Sequence, residues 1–286
     1  MKLQTLIEFM ETICPTTLAE DWDNVGLLLG SRDQKAEKIM TCLTVTGDVV
    51  DEAIALGVDC VISHHPFPFR PEKKWTTDTT AGTLLLKLAA AKIAVYSPHT
   101  AHDSAFFGIN RQLAAGLELR DVASLYEGKL QATKEMLAGL DDADAKYIAN
   151  DLKGAGAILG TGRVGRLPKP KKFSELVAQV KDMLQLEHVL AVGADDKVIK
   201  TVAIGCGAAD DFIAEAAKKG ADAILTGEAR FHVCEEARAQ GIAVILASHF
   251  ATERFSAFIL AQRIARQFPE LVVQTSAKET DPIRFA

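Results

Sequence analysis

One stretch of this chain is written twice, and that constrains the fold more than any other feature. Residues 50–63 give a helical run, Gly57, Asp59, the apolar Cys60-Val61-Ile62 and then Ser63. Residues 213–226 give a helical run, Gly220, Asp222, the apolar Ala223-Ile224-Leu225 and then Thr226. A glycine ending a helix and a short apolar strand after it are the signs of one α/β step. The correspondence continues downstream. Ile93-Ala94-Val95 precedes His99 and Asp103, and Ile242-Ala243-Val244 precedes His249 and Glu253. Two matches in the same order predict two related α/β halves facing each other.

The rest of the pattern agrees. Leu3 to Cys14 carries apolar residues at helical spacing and stops at Pro15. Ile39–Val45, Cys60–Ile62 and Ile93–Tyr96 read as strands, and Val49–Leu56 and Gly82–Ala91 as helices. Strand-helix alternation of this kind predicts two α/β/α lobes with mostly parallel sheets. Residues 121–156 are rich in Ala, Asp and Lys and show no strong strand. The expected division is therefore a first lobe at 1–120, a mostly helical or irregular connector at 121–156 and a second lobe at 157–286. Lys169 to Lys172, beside two prolines, reads as a solvated linker.

Composition narrows the functional classes. The chain has 286 residues, 48% of them hydrophobic, which is enough to bury a substantial core. A net charge of −6 argues against bulk electrostatic binding to nucleic acid or an anionic membrane. Aromatic residues are 6% of the total, so extended stacking platforms for single strands are scarce. Glu8 and Glu11 interrupt the N-terminal apolar run, and no apolar stretch reaches membrane-spanning length. The five cysteines are scattered with no CxxC pair and read as buried small hydrophobes. Together these features point to a reducing cytoplasm.

The chemistry gathers behind the strands. His64, His65, His99 and His249 each follow a predicted strand, where open α/β sheets bind their ligands. Imidazole is the common neutral nitrogen ligand of zinc, iron and manganese. His99 and Asp103, like His249 and Glu253, are spaced four apart, so on a helix they share a face. Such a pair suits a metal ion, and it also suits a plain hydrogen bond on a solvated helix. A mixed His/carboxylate set is the composition of an open catalytic metal site rather than a closed structural one. Asp23-Asn24-Val25-Gly26 reads as a turn. Gly205-Cys206-Gly207-Ala208-Ala209-Asp210 is expected to follow a strand and open a helix, a weak anion-binding signal. Thr226-Gly227-Glu228 and His232 are expected at the rim of the site.

Taken together, Asp23-Asn24-Val25-Gly26-Leu27, Ser63-His64-His65-Pro66, His99-Thr100-x-x-Asp103, Gly108-x-Asn110, Thr226-Gly227-Glu228 and Ser248-His249-x-Ala251-Thr252-Glu253-Arg254 resemble the dinuclear-metal, ring-forming family of GTP cyclohydrolase 1 type 2 homologues. The pieces span nearly the whole chain in the family's order. The resemblance implies a two-lobed α/β fold assembled as a homohexameric toroid. It implies two divalent metal ions per subunit (zinc, iron, manganese or similar) held by His64, His65, Asp103, His249 and Glu253, with His99 beside them as ligand or proton relay. The chain departs from the family pattern at Ala208-Ala209-Asp210, usually Gly/Ser-rich, and at Phe107, usually a second glycine. Its connector is too short for the large insertion some relatives carry.

Two functions follow. The first is a metal-dependent hydrolase acting on a small molecule, with GTP ring opening and formate release as the family's name suggests, or another nucleotide as substrate. His99 or Glu228 would shuttle protons. The second is a non-enzymatic metal-binding ring that recruits a partner, its coordination closed.

Overall fold

The structure is a computed structural model that describes residues 1–70, 72–131 and 158–284. The chain divides into two compact units: Met1–His102 with Arg254–Ala286, and Asp103–Glu253. This division crosses the boundaries expected from the sequence at 120 and 156. Residues 103–120 go with the second unit and 254–286 with the first.

The first unit opens with helix α1 (Leu3–Ile13) and edge strand β1 (Gly26–Leu29). It continues through β2 (Lys38–Cys42), α2 (Gly47–Leu56), β3 (Cys60–Ser63), α3 (Thr80–Ala90) and β4 (Ala94–Ser97). The chain returns to it through the C-terminal part of a long helix and strand β11 (Val272–Thr275). The five-stranded sheet has the order β1-β4-β3-β2-β11. Its β4, β3, β2 and β11 run parallel, and β1 pairs antiparallel with β4. Met40, Val49, Val50, Val61, Leu88 and Val95 pack into one apolar core in this unit. Each such side chain taken from water contributes roughly 1.5–3 kcal/mol.

The second unit holds α4 (His99–Ser104) from Asp103 onward, then α5 (Ile109–Gly116), β5 (Arg120–Gln131) and β6 (Ile158–Lys172). There follow α6 (Phe173–Leu184), β7 (Leu190–Val192), β8 (Val198–Ala208), α7 (Phe212–Lys218), β9 (Ala223–Glu228), α8 (Phe231–Ala239), β10 (Ala243–Leu246) and the start of α9 (His249–Gln267). The six-stranded sheet has the order β5-β6-β8-β9-β10-β7. Only β8, β9 and β10 are parallel; β5, β6 and β7 join antiparallel. The expectation of mostly parallel sheets thus holds for the first sheet and is corrected for the second. The fold class is mixed α/β with two sheets.

The repeat is a repeat of hydrogen bonds as well as of letters. Gly57 and Gly220 end their helices with φ of 63° and 72°, a region that favours glycine. Two residues later an aspartate caps the neighbouring strand. The Asp59 carboxylate accepts from the N–H groups of Glu37 and Lys38, both at 2.8 Å. The Asp222 carboxylate accepts from Lys200 and Thr201 at 2.8 and 2.9 Å. The next strand is tied in the same way, Ala94 N–H donating to Asp59 O and Ala243 N–H to Asp222 O.

Three further expectations are corrected. Residues 121–131, read as part of a connector, form most of β5; residues 132–157 lie outside the described residues. Lys169–Lys172 is strand, not linker: Lys171 and Lys172 pair with Ile199 and Val198. The β6–β8 register shifts between Arg166 and Lys171, around Pro168 and Pro170, because proline has no N–H for the ladder. The segment after Gly205 does not open a helix at once. It stays in β8 to Ala208, and the next helix starts at Phe212. No helix among the described residues is long and apolar enough to cross a membrane.

Candidate metal centre

In the first unit three histidines converge where β3 and β4 end. His64 and His65 continue beyond β3 as if still in register, their N–H groups donating to Cys42 O and Leu43 O at 3.0 and 2.8 Å. Two hydroxyls hold this backbone from the other side: Ser97 donates to His64 O at 2.6 Å and Ser63 to His65 O at 2.8 Å. His99 opens α4 with φ of 28°, a strained value of the kind that persists only where surrounding contacts over-determine it. The ring centroids lie 5.1 Å apart for His64–His65, 5.2 Å for His64–His99 and 5.7 Å for His65–His99. One ring nitrogen of each falls within 4.8 Å of the others, a set that could hold a metal ion.

Two of the rings are oriented through Nδ1. Asp23 Oδ1 lies 2.8 Å from His99 Nδ1, while its Oδ2 accepts from the N–H and hydroxyl of Thr100. Burial by itself raises the Asp23 carboxyl; the bonds from His99 and Thr100 outweigh it and hold the group below the usual carboxylate range. Thr44 Oγ1 lies 2.7 Å from His65 Nδ1. Thr44 is fixed in turn by Glu279, whose carboxylate accepts the N–H groups of Leu43 and Thr44 and pairs with Arg254 Nε at 2.8 Å. An imidazole held at Nδ1 by a carboxylate presents Nε2 as its lone-pair donor. This donor set fits a borderline divalent cation such as zinc, iron or manganese.

The second unit brings its own donors. His249, at the head of α9, has Nε2 3.0 Å from Glu253 Oε2 and Nδ1 3.0 Å from Glu228 Oε1. Burial would lower its pKa, but the two carboxylates more than offset that and push it up to about 9. Gly207, with φ of 61°, runs close beneath: a Cβ there would strike the Glu253 carboxylate and sit 3.2 Å from His249 Nε2. Thr252 Oγ1 accepts the Gly207 N–H at 3.1 Å.

Asp103 stands on a second scaffold in the same unit. Its Oδ1 accepts the Cys206 thiol at 3.2 Å. Asn110 donates to Asp103 O and accepts the Cys206 N–H at 2.8 Å. Burial, then the Asp103 charge, pushes the Cys206 thiol well up, so it stays a neutral donor.

The structure therefore groups His64, His65 and His99 in one unit, and His249, Glu253 and Glu228 in the other, with Asp103 beside Cys206. Thr226 is buried and donates to Gly207 O, whereas His232 is exposed on α8. Asp23, Thr44, Cys206 and Glu279 were not read as functional. For Asp23 the motif was visible, but its turn-forming neighbours masked the carboxylate's role.

Known proteins resemble this chain along nearly its whole length. The chain is 32% identical over 289 residues to the GTP cyclohydrolase 1 type 2 homolog of Clostridium acetobutylicum, covering all of this chain and 99% of that one. It is 31% identical over 293 residues to the Protein NIF3 homolog of Schizosaccharomyces pombe, covering 97% and 96%. The fold matches the crystal structure of a Bacillus cereus protein related to NIF3 with a TM-score of 0.86 and 23% identity, over 100% and 99% of the two chains. The model of the Duf34/NIF3 (NGG1p interacting factor 3) family matches residues 1–282, and the chain belongs to that family.

Proposed function

We propose that the chain is a divalent-metal hydrolase acting on a nucleotide-type small molecule, with opening of the GTP imidazole ring and release of formate as the specific reaction. The observation that carries the reading is the convergence of His64, His65 and His99, with Nδ1 of His65 engaged by Thr44 and Nδ1 of His99 by Asp23. Nature of donors and outer partners is that of a catalytic metal site rather than a structural one. The name of the Clostridium acetobutylicum relative supports the choice of substrate.

His64, His65, Asp103, His249 and Glu253 would hold two divalent cations. Cations so held would supply Lewis-acid chemistry, polarising a substrate oxygen or imine carbon and lowering the pKa of water toward neutrality. The chain's residues do the rest. Asp23 keeps the His99 ring in one tautomer, so Nε2 can take a proton and return it to the leaving nitrogen. Glu228, its carboxylate half-exposed beside His249, exchanges protons with solvent.

The test is metal content and formate release from GTP, on protein reconstituted with zinc, iron or manganese. Wild type is expected to bind metal and release formate, and Asp103→Ala to lose both. Metal without turnover on any nucleotide would sink the hydrolase and leave a metal-binding scaffold. Full metal content in a His65→Ala, Asp103→Ala double variant would sink the ligand assignment.

A further inference from the structure

Next to the three histidines stand two large aromatic rings that the fold leaves in solvent. Trp22 is 65% exposed and Phe69 is 51% exposed. Their centroids are 6.2 Å apart with planes inclined at 47°. Each also stands nearly perpendicular to the His99 ring, Trp22 at 6.0 Å and 76°, Phe69 at 5.9 Å and 78°.

Burial does not hold these rings in place, so something else must. Trp22 immediately precedes Asp23, whose carboxylate grips His99 and Thr100. Glu20 N–H donates to Thr100 Oγ1, and Asp23 N–H closes a turn on Glu20 O. Phe69 follows Pro68, whose carbonyl accepts from Asn24 Nδ2 at 3.1 Å. The two segments are thus tied to each other and to His99 by polar bonds, while their aromatic faces stay open. Exposed tryptophan and phenylalanine cost solvation free energy, and rings fixed beside a polar centre are the usual lining of a small-molecule site.

We propose that Trp22 and Phe69 form an aromatic cradle that stacks the planar heteroaromatic base of the substrate beside His99. The inference rests on the reading of the histidine cluster as the reacting centre, and it adds which part of the substrate these rings hold, its planar base. The inclined planes form a wedge rather than a parallel slot, so the base lies on one ring and meets the other at its edge. Stacking of this kind tolerates any base, since every base has a π-face. Selection of the base would come from elsewhere.

The experiment follows Trp22 fluorescence in a Trp75→Phe background, with guanosine and adenosine 5′-monophosphates as probes and ribose 5-phosphate as the same molecule without its base. Both nucleotides are expected to quench the emission and ribose 5-phosphate is not. By calorimetry, Trp22→Ala and Phe69→Ala are each expected to weaken nucleotide binding by roughly tenfold, with metal content unchanged, and Trp22→Phe to restore most of it. Binding of ribose 5-phosphate as tight as that of the nucleotides would overturn the cradle, as would unchanged nucleotide affinity in both alanine variants or no nucleotide binding by wild type. A change of oligomeric state in Trp22→Ala with nucleotide affinity intact would overturn it in favour of an interface between copies. The metal-free protein is measured in parallel, so a failure of the metal assignment reads separately from a failure of stacking.

Discussion

Asp23 Oδ1 lies 2.8 Å from His99 Nδ1, although the two residues are 76 positions apart in the chain. The carboxylate is buried, accepts from Thr100 as well, and leaves His99 only Nε2 for proton transfer. Asp23→Asn keeps the shape but offers the ring a neutral amide in place of an anionic acceptor. Formate release from GTP by the metal-loaded protein is expected to fall by about 10–100-fold, with metal content kept and little change in the unfolding midpoint. Unchanged turnover would show that the ring is positioned by its backbone alone.

Glu279 joins the C-terminal segment to the loop that carries Thr44. Its side chain and that of Arg254 are 3% and 10% exposed. Removing one member of a buried, hydrogen-bonded ion pair typically costs about 3–5 kcal/mol. Glu279→Ala is expected to lose stability in that range by urea unfolding, because it strips the anionic partner from Arg254 Nε and the acceptor from the N–H groups of Leu43 and Thr44 together. An Arg254→Met, Glu279→Met double variant should lose less than the two single changes summed.

Gly207 tests the packing around Glu253. In Gly207→Ala the methyl group meets the Glu253 carboxylate, and an alanine must adopt φ near 61°. Backbone strain of this kind costs about 1–3 kcal/mol. The expected result is a lowered melting temperature together with weakened metal binding, since Glu253 has to move. Loss of stability with metal binding intact would remove Glu253 from the ligand set.

The two strand-capping aspartates make a matched pair of predictions. Asp59→Ala and Asp222→Ala each strip an anionic acceptor from two backbone N–H groups. Both sites are solvent-accessible, so each loss is expected near the lower end for charged acceptors, about 1–2 kcal/mol. Similar values from chemical denaturation would support a shared role for the two aspartates. A near-zero effect at one of them would show that its strand end is held by other contacts.

Local chemistry made the repeat readable: helix, glycine, aspartate and apolar strand are all short-range signals, and the histidines follow those strands directly. The β5–β6 pairing was not readable. Its residues alternate little and include Gly128, Pro168 and Pro170, and antiparallel backbone pairing holds the ribbon together. Asp23 and Glu279 were missed for a different reason. Their partners, His99 and Thr44, lie 76 and 235 residues away, so the neighbouring letters do not show what either carboxylate holds, even for Asp23 inside its motif. Cys206 looked like a small hydrophobe and is indeed buried, yet its thiol reaches Asp103.

The order of strands in the first sheet has a consequence for biosynthesis. Strand β11 pairs with β2, and Thr275 meets Thr41 across a separation of 234 residues. At ordinary elongation rates of about 5–20 residues per second, β2 waits roughly 10–50 s for its neighbour. Residues 103–253 emerge whole in that interval. On the ribosome the inserted unit can therefore complete its sheet while the host sheet still presents an open, apolar-flanked edge at β2, which makes that edge the point where a nascent-chain chaperone has most to protect.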